Sequence, residues 1–206
     1  MPLTQSKTIR RSLLLVGAAM AVLFLATPFV ARAFVVPTES MASTLLVGDH
    51  LFVGVHSAQP VHGSLITFRS PADPRQTFIK RVVGLPGDRI RLINKVLYRN
   101  GEAVNEGYAE HRIQYVDQFR DNFPSATNLE LPESGRQMLA EHRVGDEIVI
   151  PAGHYFVLGD NRDNSLDSRY FGFVPQAALQ GEPLFIYWSK DPKNGTRWAR
   201  TFRAVR

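Results

Sequence analysis

Two residues of this chain have the side chains and the surroundings for nucleophilic catalysis. Ser40 lies in the segment PTESM at 37–41, whose proline disfavours a packed helix. A serine hydroxyl becomes a good nucleophile when a nearby base takes its proton. Lys80 lies in the apolar segment TFIKRVV at 77–83, where burial would lower the pKa of its amine and populate the neutral form. The sequence therefore predicts Ser40 as a nucleophile with Lys80 as its general base.

Other chemistries have less support in the sequence. The six histidines are not accompanied by a serine in a glycine-flanked elbow, and no two of them stand at helix spacing around a glutamate. The chain has no cysteine. We therefore predict no metal and no cofactor. The alternative for Lys80 is an exposed amine, with the neighbouring Arg81 also extending to solvent.

A dense polar segment, GDNRDNSLDSRY at 159–170, superficially suggests a calcium loop. It departs from that pattern because Arg162 occupies a ligand position and Ser165 stands where a glycine is needed. Two roles remain open for this segment. It could be a structural loop in which Asp167 pairs with Arg169, or it could position a catalytic amine through Ser165.

The elements that would position these residues are β-strands. Short runs of β-branched and aromatic residues alternate with glycine, proline and asparagine turns, and Asn100-Gly101 is a strong hairpin signal. The predicted strands cover 50–55, 64–68, 77–83, 89–92, 96–99, 147–150, 155–158 and 184–188. We predict a mostly β fold, with antiparallel strands coiled into a barrel or sandwich.

An uncharged apolar segment precedes the strands. It covers 19 residues, 13–31, and its apolar character resumes at 33–36; a membrane-spanning helix needs ~20 residues. Three basic residues within 1–12 place the amino terminus in the cytoplasm by the positive-inside rule. We predict a cytoplasmic segment at 1–12 and a single transmembrane anchor at 13–34.

A cleaved signal peptide is the alternative for this segment, because Ala31-Arg32-Ala33 has the small-x-small pattern of a cleavage site. Retention is favoured since the apolar segment is long for such a peptide. Cleavage would also leave Ser40 close to a free amino terminus. Beyond the anchor we predict a catalytic β domain made of 35–103 and 144–206, interrupted by an inserted subdomain at 104–143 where the strand pattern weakens.

The charge distribution argues against a nucleic-acid partner. The net charge is +5, but the chain between the basic start and residue 190 carries 15 basic and 18 acidic residues. A body of that charge lacks the basic face that phosphate binding requires. The tail interleaves arginines with Trp198 and Phe202, which predicts either contact with anionic lipid headgroups or a final strand with a solvated basic end.

Four features in this order resemble the type I signal peptidases, also called leader peptidases. They are the anchor, SMASTLLVGDHLFV at 40–53, KRVVGLPGD at 80–88 and GDNRDNSLDSRYFGFVP at 159–175. The resemblance covers 35–104 and 146–188. It implies the signal peptidase fold, a coiled antiparallel β-sheet core with an inserted smaller subdomain, preceded by one transmembrane helix.

Carried over residue by residue, the resemblance implies Ser40 as nucleophile and Lys80 as general base. It implies that the Thr38 hydroxyl joins the Ser40 N–H in an oxyanion hole, and that Ser165 hydrogen-bonds the lysine amine. Three further residues would support this pair: Asp167, Arg169 and Arg81. The shallow pockets for small substrate residues at positions −1 and −3 would be lined by Phe34, Val36, Met41, Leu45, Phe78 and Ile79.

Two residues depart from the family pattern. Glu39 stands where glycine is common before the nucleophile, and Ser43 stands where the family commonly has proline. Neither change removes a catalytic group. We therefore expect them to affect the local backbone or the substrate charge preference rather than the type of reaction.

The resemblance implies a membrane-bound serine endopeptidase that removes amino-terminal signal peptides from exported preproteins by cleavage after a small-x-small motif. Its partners would be preprotein signal peptides and membrane lipids. The expected location is the bacterial inner membrane, in a single pass, with the catalytic domain on the outer side. A bacterial membrane is favoured over an organelle because the chain opens on a short basic segment without a transit peptide.

Three alternatives remain at this point. A Ser/Lys peptidase could serve one client in a conjugation or pilus system, and a broad panel of preproteins would distinguish it. A membrane-tethered β-domain without enzymatic activity would keep its effect in Ser40→Ala. A self-cleaving repressor is disfavoured by the anchor and by the lack of a DNA-binding segment before Ser40.

Overall fold

The structure is a computed structural model that describes residues 15–16, 31–55, 59–125 and 131–205. The basic start and nearly all of the predicted anchor before residue 31 lie outside the described residues. Within the described ranges, no helix has both the length and the apolar character that a membrane span requires.

The described residues form fourteen strands, consistent with their content of β-branched and aromatic residues. The strands are β1 Ala31–Val35, β2 Asp49–Gly54, β3 Leu65–Arg69, β4 Thr77–Gly84, β5 Arg89–Ile93, β6 Val96–Arg99, β7 Glu102–Ala103, β8 Arg143–Val144, β9 Glu147–Val149, β10 His154–Leu158, β11 Val174–Pro175, β12 Leu179–Asp191, β13 Gly195–Thr196 and β14 Arg203–Ala204. The predicted mostly β class is confirmed, and each predicted strand overlaps an observed one.

The larger sheet carries the candidate site. In the described residues its order is β1-β2-β12-β3-β4-β10-β11, all antiparallel, and β13 and β14 also pair with β12. The anchor was predicted to end at residue 34. The structure differs at this end, because Ala31–Val35 is a strand paired with β2. The chain thus enters the sheet a few residues before Ser40.

A smaller five-stranded sheet follows the order β7-β6-β5-β9-β8 within the described residues. The predicted hairpin at Asn100-Gly101 joins β6 to β7, and both residues have positive φ. One buried apolar cluster joins the smaller sheet to β10 of the larger one, with Ile90, Leu97 and Ile148 packed near Phe156 and Leu158. The two sheets therefore share a core rather than forming independent units.

The region predicted as an inserted subdomain lies between the strands of the smaller sheet. Its regular element is the helix α1, Glu133–His142, which the sequence analysis did not predict. Gly135 lowers the helix propensity of this segment. The reason for this glycine is tertiary, because an added Cβ would lie 1.9 Å from the Tyr170 carbonyl oxygen.

The basic tail folds back onto the larger sheet. Arg200 donates to Asp49 across 2.6 Å, and Arg197 donates to Asp191 across 2.8 Å, so these two arginines are engaged within the protein. Trp198 and Phe202 are 77% and 79% exposed. The tail thus combines internally paired arginines with exposed aromatic side chains.

Candidate active site

Ser40 lies in a short 3₁₀ turn, Glu39–Met41, that follows β1. Thr38, just before the turn, is extended, and Ser40 is 9% exposed. Met41 and Leu45 are buried in an apolar cluster with Val36. Apolar packing therefore holds the turn on the sheet.

Lys80 lies in β4, and it is the buried neighbour that Ser40 requires. Its amine nitrogen Nζ lies 2.6 Å from Ser40 Oγ, and the residue is 3% exposed. The Thr38 hydroxyl donates to the same Ser40 Oγ across 3.2 Å. The structure thus brings together the predicted nucleophile, the predicted base and the predicted oxyanion donor.

Burial lowers the pKa of Lys80 from its ordinary value of 10.5 to about 8. Loss of water around the charged amine is the main cause, because an ammonium is poorly solvated inside the protein. The negative charges of Asp167 and Asp160 raise the pKa, and the positive charge of Arg169 lowers it. With the pKa near 8, part of the amine is neutral at neutral pH, and that neutral part can accept a proton.

The polar segment 159–170 surrounds a buried ion pair. The Arg169 guanidinium donates to both oxygens of the Asp167 carboxylate across 2.8 Å, and both side chains are fully buried. Burial alone would raise the pKa of Asp167, but the charge of Arg169 and the hydrogen bonds outweigh it and lower the pKa. Arg169 also donates to the carbonyl oxygens of Arg120 and Arg162, so the pair fixes the course of the loop.

Ser165 lies beside the Ser40 main chain, and the hydrogen bond to Lys80 predicted for it is not formed in the structure. Its Oγ is buried and has no partner in the part of the chain that the structure describes. A Cβ on Gly159 would lie 2.2 Å from Ser165 Oγ and 2.5 Å from the Ser40 carbonyl oxygen. Ser165 and the Ser40 carbonyl oxygen therefore both approach Gly159 so closely that a side chain larger than hydrogen does not fit there.

Arg81 points to the opposite face of β4 from Lys80, as successive residues of a strand do. Its guanidinium donates to both oxygens of Asp160 across 2.8 and 2.6 Å, and it stacks on the Tyr108 ring. The Thr44 hydroxyl donates to the same carboxylate across 2.6 Å. Arg81 is thus buried, and through Asp160 it links β4 to the polar loop and to Thr44 near Ser40. The alternative prediction, that Arg81 extends to solvent, is wrong.

Sequence reasoning missed most of the partners of this loop. Glu106 accepts two hydrogen bonds of 2.7 Å from the buried Arg162, and Asp163 lies within 3.4 Å of both Lys95 and Arg120. Asp163 could have been suspected from the polar segment itself. Glu106 and Lys95 gave no signal, since nothing in their local pattern indicates contact with a loop far along the chain.

A groove of about 530 Å³ opens beside Ser40 and Lys80. All six residues predicted to line substrate pockets also line this groove: Phe34, Val36, Met41, Leu45, Phe78 and Ile79. Asn164 and Leu166, from the polar loop, were not predicted and line it too. The groove is mainly apolar, and both Ser40 and Lys80 line it.

Within residues 15–16, 31–55, 59–125 and 131–205, no three histidine, aspartate or glutamate side chains are grouped as a metal site would require.

The fold and the site define a β protein with a groove lined by a serine hydroxyl that contacts a buried amine, an arrangement capable of nucleophilic catalysis. Residues 9–188 match the family described as signal peptidase, peptidase S26. Signal peptidase I of Pseudomonas aeruginosa is 35% identical over 195 residues, covering 80% of this chain and 68% of the relative. Signal peptidase I of Aquifex aeolicus is 32% identical over 224 residues, covering 91% and 87%.

A crystal structure of a signal peptidase I from Enterococcus faecalis is similar at a TM-score of 0.47 and 32% identity, covering 62% of this chain and 98% of that one. From the family match and the curated relatives, the chain belongs to the S26 family of signal peptidases, and its class is peptidase.

Proposed function

We propose that this protein is a membrane-bound serine endopeptidase that removes signal peptides from exported preproteins, cutting after a small-x-small motif. The observation that carries the proposal is the 2.6 Å approach of Lys80 Nζ to Ser40 Oγ, with burial lowering the pKa of that amine to about 8. Family membership supports the same conclusion, because the relatives are named signal peptidase I.

In the first step, the neutral Lys80 amine takes the proton of the Ser40 hydroxyl as its oxygen attacks the scissile carbonyl. The protonated amine then gives this proton to the leaving amine, and an acyl-enzyme remains on Ser40. Lys80, neutral again, activates the water that hydrolyses the ester. The unpaired Ser165 Oγ is available to hold the amine in position during these transfers.

The tetrahedral intermediate needs donors for its oxyanion. The Ser40 N–H and the Thr38 hydroxyl are proposed for this role, and loss of one such donor typically costs roughly 3 to 4 kcal/mol of transition-state stabilisation. The Thr38 hydroxyl now donates to Ser40 Oγ. During attack it would turn toward the oxyanion, because Ser40 Oγ becomes bonded to carbon.

The groove supports an extended substrate with small side chains near the cut. In the described residues, β4 pairs with β10 only from Arg81 onward, so its first half at Thr77–Ile79 has β3 on one side and the groove on the other. An extended peptide could hydrogen-bond to this free edge. The walls formed by Leu45 and Ile79 would limit the side chains at positions −1 and −3 to small ones.

The predicted anchor would place this site at the outer face of the inner membrane. The apolar segment of a signal peptide is already embedded in that membrane. Such co-localisation raises the effective concentration of substrate. The exposed Trp198 and Phe202 in the basic tail are candidates for contact with lipid headgroups. Accessibility of a tag at residue 206 to an external protease in intact spheroplasts tests this topology, and full protection of the tag would contradict it.

The direct test of function is cleavage of a purified preprotein in detergent by the wild-type protein, Ser40→Ala and Lys80→Ala, with the new amino terminus sequenced. We expect cleavage after small-x-small by the wild-type protein alone. Full activity in Lys80→Ala would refute the base assignment. Failure of the wild-type protein on a broad preprotein panel would favour a peptidase dedicated to one client or a binding domain.

A further inference from the structure

Asn161, in the loop that follows β10, makes two hydrogen bonds to the turn that carries Ser40. Its side-chain nitrogen Nδ2 donates to the Glu39 carbonyl oxygen across 3.2 Å. Its main-chain N–H donates to the Ser40 carbonyl oxygen, also across 3.2 Å. One residue therefore holds the peptide group on each side of the Ser40 Cα.

The side-chain contact acts on the peptide that carries the Ser40 N–H. The Glu39 carbonyl and the Ser40 N–H belong to one planar trans peptide group, so they point in opposite directions. The Glu39 oxygen also accepts from the Ala42 N–H across 3.0 Å. Fixing this oxygen from two sides fixes the direction of the N–H at the other end, and hydrogen bonding at the carbonyl also polarises that N–H.

Asn161 is itself held rigidly. Glu110 flanks it: the Glu110 N–H donates to the Asp160 carbonyl across 2.7 Å, and the Arg162 N–H donates to the Glu110 carbonyl across 3.0 Å. The residue is 1% exposed. The main chain on both sides of Asn161 is therefore held in place, and its buried side chain extends from this fixed backbone to the turn at Ser40.

The Asn161 amide is also costly to bury. Its carbonyl oxygen Oδ1 is buried without a hydrogen-bond partner in the described residues, whereas an apolar side chain of similar shape would leave no such group. The amide cannot turn round to relieve this, because the Glu39 oxygen can only accept. Stability alone does not explain an asparagine at this position.

We propose that Asn161 is a positioning residue for catalysis: through the Glu39 carbonyl it aims the Ser40 N–H at the oxyanion. This inference rests on the proposed function. Loss of the side-chain donor should weaken stabilisation of the tetrahedral intermediate while leaving the substrate groove unchanged, because Asn161 does not line that groove.

The test uses the purified full chain and two variants of it, Asn161→Leu, which removes the side-chain donor, and Asn161→Asp, which keeps the side-chain shape but replaces the amide with a carboxylate. Asn122→Leu is the matched control, since the Asn122 side chain also bonds a main-chain group, the Asn94 N–H, but in a turn remote from Ser40. The readouts are kcat and KM on a preprotein-derived peptide, and affinity for two ligands. A peptide aldehyde forms a tetrahedral adduct with Ser40, and a peptide with a methylene in place of the scissile carbonyl cannot form an oxyanion.

We expect both Asn161 variants to lose roughly 10- to 100-fold in kcat, with KM changed by less than about twofold. Affinity for the aldehyde should fall in parallel, while affinity for the methylene peptide should not change. A folded variant with wild-type kcat, an equal loss of affinity for both ligands, or unfolding of both variants would overturn the inference. An inactive wild-type protein would instead overturn the proposed function.

Discussion

Lys80 Nζ and Ser40 Oγ lie 2.6 Å apart, although 40 residues separate them in the chain. The distance is short enough for direct proton transfer, and no third side chain has to relay the proton. In the proposed mechanism, the ionisation of Lys80 would control the reactivity of the serine. The first prediction follows from this relationship.

Activity should rise with pH through about 8, the pKa of Lys80, because only the neutral amine can take the Ser40 proton. The measurement is kcat/KM on a cleavable peptide between about pH 6 and 10. The concentration of active enzyme is determined by active-site titration. Lys193→Ala, an exposed lysine, is the control and should keep the same profile. A profile that stays flat across this range would contradict Lys80 as base.

Lys80→Met should stabilise the protein at neutral pH. Below pH 8 the lysine is protonated in both states, and the folded state bears the cost of burying the charge. A pKa lowered from 10.5 to about 8 corresponds to about 3 kcal/mol. Wild-type stability should rise as the pH increases from about 8 to 10.5, because in this range the unfolded chain binds more protons than the folded protein.

Urea unfolding at pH 7 and at pH 10 checks this prediction. The advantage of Lys80→Met should be largest at pH 7 and should shrink toward pH 10, whereas Lys193→Met should show no advantage at either pH. A variant less stable than the wild-type protein at pH 7 would mean that the amine contributes more by packing than its desolvation costs.

Asp167→Asn should destabilise the fold by roughly 3 to 5 kcal/mol, because it leaves the buried Arg169 charge without its partner. Asp73→Asn is the matched control: Asp73 pairs with Arg75 at the same spacing, but on the surface. Denaturant unfolding should separate the two variants, with the control close to wild type. Equal stability of both variants would show that the buried pair is not a structural brace.

Gly159→Ala should lower kcat by roughly a hundredfold, since its Cβ would displace Ser165 or the Ser40 main chain, and displacement of a catalytic group by 1 Å can cost that much. Gly107→Ala is the control, because a Cβ there meets nothing within 4 Å. Peptide cleavage by the two purified variants gives the comparison. Normal kcat in Gly159→Ala would mean that the loop can yield without moving Ser40.

Local patterns in the sequence were sufficient for the eight predicted strands and for proposing the catalytic residue types, but they missed β1, β7, β8, β11, β13 and β14. Alternating β-branched residues and turn glycines predict strands because the strand period and turn sterics are local properties. Ser40 and Lys80 could be proposed because an unusual serine setting and a lysine among apolar residues are both visible in short segments. The substrate groove residues came only from the family resemblance, and whether they bind substrate stays a prediction.

Tertiary structure decided which side chains meet. Helix α1 was missed because Gly135 hides its propensity, and that glycine is required by the Tyr170 carbonyl rather than by the helix. The partners Asp160 for Arg81 and Glu106 for Arg162 could not be read locally, since an ion pair depends on distance in space and not along the chain. The sequence by itself determined the chemical groups and most of the longer strands; only folding determined the 2.6 Å approach, the burial that lowers the pKa of Lys80 and the peptide geometry at Ser40.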